Sequence, residues 1–522
     1  MVRASIVSKD LSTLYDCQNK FFIMNFKLYL LTLFAKYTAH SIDKWRKTAV
    51  TDQKKIFKSL VTKARTTQFG QDHNFSQISD YEDFKKSVPI RDYEGLRAYV
   101  DMIIAGEKDV LWPGKPKYFA KTSGTTSGVK YIPITHDSMP NHIHTARNAM
   151  FNYFHQSGNV EVFKGKLIFL SGSPTLDIKG GIPTGRLSGI VNHEVPSWIR
   201  TNQLPSLSTN CIEDWEEKLE NIVRETVHED MRLISGIPPW VQMYYERLLE
   251  VTGKKTIKEI FPNFSLFMYG GVNFEPYRTK LEELIGGKVD SIETFPASEG
   301  FIAFQDDMHD SGLLLNTNSG IFFEFIPLDE IGQENPHRYM LDEVELHKDY
   351  AIIINNNAGL WGYDIGDCVR FVGLNPYKLL VTGRVKHYIS AFGEHVIGKE
   401  VEEAILNVAL NYGVSIVEFT VAPQVNPPEG GTPYHEWFVE FAMQPNDLEL
   451  FASEVDSSMC EQNIYYDDLI RGNILQPLKL RVLQKDSFRN YMKSEGKLGG
   501  QNKVPRLSND RKLADKLNSF II

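Results

Sequence analysis

Three short apolar runs, each closed by small residues, constrain this chain most. They are "KLIFLSGS" (Lys166–Ser173), "RLISG" (Arg232–Gly236) and "FSLFMYGGV" (Phe264–Val272). Runs of this length, bounded by glycine and serine, read as buried strands rather than helices. The second leads into "IPPWVQMYYERLLEVTG", a helix that Pro238 or Pro239 starts and Gly253 stops. Strand–loop–helix alternation predicts an α/β fold with ligand loops gathered at the strand ends.

From about Asn316 to Gly373 the pattern turns strand-rich ("GIFFEFIPL", "YAIIINNNAGLWGY", "DCVRFVG") and predicts a β subdomain. Beyond "LLVTGRVKHYIS" a helix ("GKEVEEAILNVALNYG"), two strands ("SIVEFTVAPQV", "EWFVEFAM") and another helix follow. These predict a small α+β domain, and so a large domain over 1–383 and a small one over 384–522. The 522 residues suit such a division.

A net charge of -9 argues against a nucleic-acid surface, while leaving room for the few local cations a nucleotide needs. Cys17, Cys211, Cys368 and Cys460 are scattered, without a C-x-x-C pair, which favours a reducing, cytoplasmic setting over a disulfide or zinc framework. "KFFIMNFKLYLLTLFAKY" (Lys20–Tyr37) is interrupted by Asn25 and Lys27. It is too short to span a bilayer, and we expect an amphipathic helix buried on the main domain. Met24 is a second candidate start.

The stretch "FAKTSGTTSGVKYIPIT" (Phe119–Thr135) invites comparison with the phosphate loop G-x-x-x-x-G-K-[ST] and fails it. Gly124 and Gly128 are one residue too close, Val129 intervenes before Lys130, and "YIPIT" continues as a strand instead of a helix. The ingredients still suit an anion. Amides of small residues can wrap phosphate oxygens, Ser123, Thr125, Thr126 and Ser127 add hydroxyls, and Lys130 adds charge. The plain alternative is a flexible hairpin turn.

Three further stretches favour the anion. "ETFPASEGFIAFQ" sets Glu299 after a small-residue turn, where a carboxylate facing a triphosphate would hold magnesium. "GYDIGDCVRF" sets Asp367 after a glycine between two strands. A carboxylate there can accept from ribose hydroxyls; otherwise it makes a turn. "TGRVKHYISAFGEHV" puts Arg384 at the domain junction, within reach of ribose or phosphate.

The order "TSGTTSGVK", "FPASEG", "YDIGD", "GRVKHYISAFGEHV" resembles the adenylate-forming superfamily of acyl-CoA synthetases, luciferases and adenylation domains. Within it, the tail "GGQNKVPRL" and "MYGGVNFEPY" make the chain most similar to the Gretchen Hagen Three (auxin-responsive) family of acyl-acid amido synthetases, and we expect a bacterial-type member. The likeness runs from about Trp45 to the C-terminus. Phe295, Pro296, Ala297, Ser298 and Glu299 stand where the family has Y-x-S-S-E. Phe295 keeps a ring for adenine but loses the hydroxyl, Ser298 remains, and Ala297 removes a hydrogen-bonding group.

The resemblance implies a large ATP- and acyl-binding domain, a small mobile domain, and ATP and magnesium as cofactors. It also implies a carboxylic acid and an amino acid as small-molecule substrates. The acid would be activated as acyl-AMP and then transferred to the amine. Lys130 and the loop, with Gly124 and Gly128, would hold phosphates; Glu299 would hold magnesium. Lys503, after Gly499–Gly500 and before Val504 and Pro505, would neutralise the α-phosphate. A coenzyme A ligase ending in a thioester and a non-catalytic nucleotide binder are the alternatives. Among His136, His142, His144 and His387 none is assigned as base. Met150, Phe151 and Phe154 carry little weight as acyl-pocket residues, because at helical spacing they are more often core.

Overall fold

The computed structural model describes residues 26–122, 129–271, 274–331, 333, 335–384, 388–389, 391–394, 396–495 and 504–522. Its centre is an eleven-stranded sheet. One end is parallel: Gln203–Leu204, Lys166–Phe169, Met231–Ser235, Leu266–Gly270 and Asp290–Ala297 lie side by side in that order. The apolar runs read as strands are here, with helices between them. Pro238–Thr252 starts on its prolines and ends on Gly253, whose φ of 66° closes the helix through a bond to the Leu249 carbonyl.

The strand-rich stretch joins the same sheet rather than a separate one. From Asp290–Ala297 the sheet continues antiparallel through Gly300–Gln305, Leu313–Leu315, Tyr377–Arg384, Tyr363–Leu374, Asp349–Asn356 and Ile321–Pro327. No periodicity signals this continuity, because which strands pair is decided by long-range packing. A second sheet of four strands holds Lys130–Ile134, Tyr118–Thr122, Ile182–Gly185 and Asp177–Lys179.

We propose the division between residues 383 and 384 because the last strand of the large sheet runs out at Arg384. Later elements build a helix, Gly398–Tyr412, and a three-stranded sheet of Ser415–Gln424, Tyr434–Met443 and Gln476–Val482. Helices Leu448–Gln462 and Ile464–Arg471 pack beside it. Trp240, Tyr269 and Phe274 share one apolar cluster with Phe392, Val401 and Trp437, so this unit is seated on the helices of the parallel block.

The helix expected near the N-terminus covers 26–45 among the described residues, and Met24 lies outside them. Leu28, Leu31 and Ala35 pack with Phe151, Phe154 and Phe163, while Ile42 and Trp45 reach Phe301 and Phe304. Met150, Phe151 and Phe154 are therefore core.

The antiparallel block encloses a charge. Glu324 sits in the fully buried strand "IFFEFIP", with no exposed surface. The Arg338 guanidinium donates to both its oxygens, Nε to Oε1 and Nη2 to Oε2, each at 2.8 Å. The Tyr81 hydroxyl adds a bond of 2.7 Å, as does the Asn355 amide. Burial and the Glu324 carboxylate push the Tyr81 hydroxyl far above its usual pKa. Removing one member of such a pair strands the other charge, at a cost of about 3–5 kcal/mol. R338M is expected to lower the stability by about that amount in urea denaturation; a change under about 1 kcal/mol would show the pair is not tightly held.

Candidate active site

The serine/threonine/glycine stretch lies in sequence between two paired strands. Tyr118–Thr122 pairs antiparallel with Lys130–Ile134, and Thr122 faces Lys130 in register. Ser123, Gly124, Thr125, Thr126, Ser127 and Gly128 lie outside the described residues, and the strand after them is the one the β-branched pattern predicts. The hairpin is tied to the body by Tyr93, whose hydroxyl accepts from the Tyr131 amide at 3.0 Å and whose ring lies 6.0 Å from the Lys130 ammonium.

Glu299 occupies a two-residue turn with Ser298. It joins strands Asp290–Ala297 and Gly300–Gln305, with Gly300 opposite Ala297. Its backbone carbonyl accepts from the Asn356 side-chain amide at 2.8 Å. Its carboxylate is half-buried and receives a long 3.5 Å bond from the Tyr363 hydroxyl, which leaves oxygen lone pairs for a cation. Phe295, four residues earlier, pairs with Ala303 and packs its ring against the main core while staying partly exposed.

Tyr363 is where these parts converge. Burial, and then the nearby Glu299, Tyr93 and Asp364 groups, drive its hydroxyl well above the usual pKa. It is a neutral donor beside Glu299 at any physiological pH. Its neighbour Gly362 is held by two bonds: its amide donates to Asn355 Oδ1 at 2.7 Å and its carbonyl accepts from the Arg91 amide at 2.8 Å. Gly362 has φ of 55°, and a Cβ there would come within 2.5 Å of the Pro89 carbonyl oxygen, so only glycine fits this crossing.

Asp367 sits inside the twelve-residue strand Tyr363–Leu374, opposite Arg384, and not in a turn between two strands. Gly366, at φ 83°, bends the strand without ending it. The turn-making bond belongs to Asp364, whose Oδ1 accepts from the Gly366 amide at 2.7 Å. Arg384 is placed by its backbone alone, at the end of the neighbouring strand.

Lys503 and the Gly499–Gly500 pair lie outside the described residues, but the chain right after them is anchored. Val504 is buried, the Pro505 carbonyl accepts from the Thr420 hydroxyl at 2.7 Å, and Arg506 pairs with Glu402 at 2.6 Å and with Glu418. Of the histidines, His142 is buried, and burial pulls its imidazole down to about 4, so it is neutral at working pH. His387 lies outside the described residues.

Two features escape sequence reasoning. Asn355 and Asn356 point opposite ways from one strand, the first to Glu324 and Gly362, the second to Glu299. Their one visible trace is "NNN" closing an otherwise apolar run. The second is Tyr465, in helix Ile464–Arg471 of the small unit. Its hydroxyl donates to the Lys121 carbonyl, one residue before the end of the hairpin's first strand. Burial raises its pKa, with Glu299 a further contributor, so the small unit reaches the candidate site here. Arg186 reinforces the contact by pairing with Asp468 and lying 4.8 Å from the Tyr465 ring.

Comparison with known proteins places this geometry. The GH3 family N-terminal domain matches residues 38–206 and 184–289, the GH3 family central domain residues 314–384, and the GH3 family C-terminal domain residues 399–512. The chain belongs to the GH3 family. The indole-3-acetic acid-amido synthetase GH3.3 of Arabidopsis thaliana is 22% identical, over 90% of this chain and 91% of its own. The jasmonoyl–L-amino acid synthetase GH3.5 of Oryza sativa subsp. japonica is 23% identical, over 90% and 94%. The solved acyl acid amido synthetase AtGH3.15, in complex with 2,4-DB, shares the fold with a TM-score of 0.59 at 16% identity, over 94% of this chain and 96% of that one. These relatives lend no support to the bacterial-type expectation. By class the protein is an ATP-using acyl-acid amido synthetase, a ligase that adenylates a carboxylic acid and then forms an amide.

The Arg186 contacts with Asp468 and Tyr465 are together worth about 1 kcal/mol. Arg186→Ala is expected to speed amide hydrogen exchange in Ile464–Arg471 about fivefold, leaving the strands around Glu299 unchanged. Equal protection in both proteins would show that this contact does not hold the small unit.

Proposed function

We propose that the hairpin tip, Glu299 and Lys503 form one adenylation site, and that the acceptor amine is that of an amino acid. The observation that carries this is the convergence at Tyr93 and Tyr363. The hairpin enters through Tyr131 and Lys130, the Glu299 turn through the Tyr363 bond, and the Asp364–Asp367 strand through Tyr363 itself.

In the first half-reaction a substrate carboxylate oxygen attacks the α-phosphorus of ATP, and the bond to the β-phosphate oxygen breaks to release pyrophosphate. Two anions must meet, so placed positive charge and donors are the main requirement. Lys130 and the amides and hydroxyls of Ser123–Gly128 hold the outer phosphates. Lys503 enters from the small domain against the α-phosphate. Phe295 offers its ring to adenine, with Ser298 beside it, and Asp367 and Arg384 serve the ribose end.

The residues fit a magnesium ion. The fit rests on one side chain, since the Glu299 carboxylate has open lone pairs and magnesium is commonly held by one or two carboxylates with phosphate and water completing its shell. Glu299 would hold magnesium, with phosphate oxygens and water as the other ligands, and the ion would supply charge neutralisation. In the second half-reaction the amine nitrogen attacks the acyl carbon and AMP leaves.

Two measurements test this. Incubation with ATP, carboxylic acids and amino acids should yield a product with the mass of acid plus amine minus water. A product formed only when coenzyme A is supplied would instead make the protein a thioester ligase. Lys503→Ala should abolish pyrophosphate release, a loss of at least about 100-fold, with the thermal midpoint unchanged. Near-normal release would remove Lys503 from the site.

A further inference from the structure

The helix over 26–45 has two apolar faces, and the protein uses one. Leu28, Leu31, Ala35, Ala39, Ile42 and Trp45 are buried against the body. On the opposite side Phe26, Tyr29, Leu30, Leu33 and Tyr37 remain 47% to 69% exposed. At about 100° per residue these five fall in one sector about 100° wide, opposite the buried one. A surface helix normally turns charge outward, so a second apolar stripe this regular marks a contact surface.

The charges around it name the partner. Lys36, Lys44 and Lys47 are exposed in or beside the sector. The helix's one acidic residue, Asp43, is half-buried and paired with Arg46 at 2.6 Å. Across residues 26–48 five Lys and Arg stand against one Asp, in a chain whose net charge is -9. A second copy would meet this helix with the same lysines and with Asp43 already paired to Arg46, which opposes self-pairing. Among the described residues no helix is long and apolar enough to cross a membrane. Phenylalanine, tyrosine and leucine in the plane, rimmed by lysines, is the chemistry of a helix lying in an anionic lipid interface.

We propose that this helix docks the protein, side-on, to an anionic bilayer surface. Phe26, Tyr29, Leu30, Leu33 and Tyr37 enter the headgroup–acyl boundary, and Lys36, Lys44 and Lys47 meet lipid phosphates. The body-facing residues stay where they are, so the enzyme binds folded.

Flotation of the full chain with vesicles tests this. Binding is expected to phosphatidylcholine vesicles containing phosphatidylglycerol and to be at least tenfold weaker to phosphatidylcholine alone. Each lysine contributes about fivefold at such a surface, so K36E/K44E/K47E should lose binding. Leu33→Ser with Tyr37→Ser, at exposed positions, should lose it with an unchanged thermal midpoint. Absent binding, equal binding to both vesicles, or either variant binding as well as the parent chain overturns the proposal. So does self-association in sedimentation velocity that the Leu33→Ser/Tyr37→Ser variant abolishes, since a second copy would then cover the face.

Discussion

A carboxylate with no access to water organises the large domain. Glu324 is held by Arg338, Tyr81 and Asn355, and Asn355 spends its carbonyl oxygen on the Gly362 amide. That bond sets the crossing at which Tyr363 turns toward Glu299. The next residue, Asn356, fixes the Glu299 turn from the other side. An ion pair buried this deeply adds little net stability over a well-packed apolar pair. What it supplies is a geometry that fixes two strands, one helix and the loop carrying Arg338 against each other, and the Glu299 turn inherits that rigidity.

The strand after the small polar loop was legible because "YIPIT" is β-branched and Pro133 forbids the helix of a phosphate loop, while its antiparallel pairing with Tyr118–Thr122 was read only as the plain alternative. A turn near Glu299 was legible from the small residues of "PASEG", but Glu299 was expected after it and is one of its two residues, because Pro296 and Ala297 stay in the strand. Asp367 was misplaced because a glycine in a strand looks like a turn; Gly366 bends the chain while pairing on both sides keeps it in the sheet.

Tyr465 and the asparagine pair were not legible, since their partners lie far away in sequence and a local pattern carries no information about them. For the N-terminal helix, periodicity revealed a helix, but both of its faces are apolar. Burial of one and exposure of the other emerge only when the body is present. The strand-rich region was read correctly as strands, and its fusion to the parallel block depends on pairings such as Leu313 with Leu379 that no window of sequence contains.

The two units meet where chemistry is expected, with Tyr465 on the hairpin and Val504–Arg506 anchored on the small sheet one residue after Lys503. Labelled pyrophosphate exchange into ATP measures adenylation of a carboxylic acid by this protein most directly. The assay holds aryl, indole and fatty acids, without amine or coenzyme A. Exchange that depends on an acid, and that Glu299→Ala lowers at least about 100-fold, is the predicted result. Exchange independent of any acid, or unaffected by loss of Glu299 in a folded protein, would contradict it.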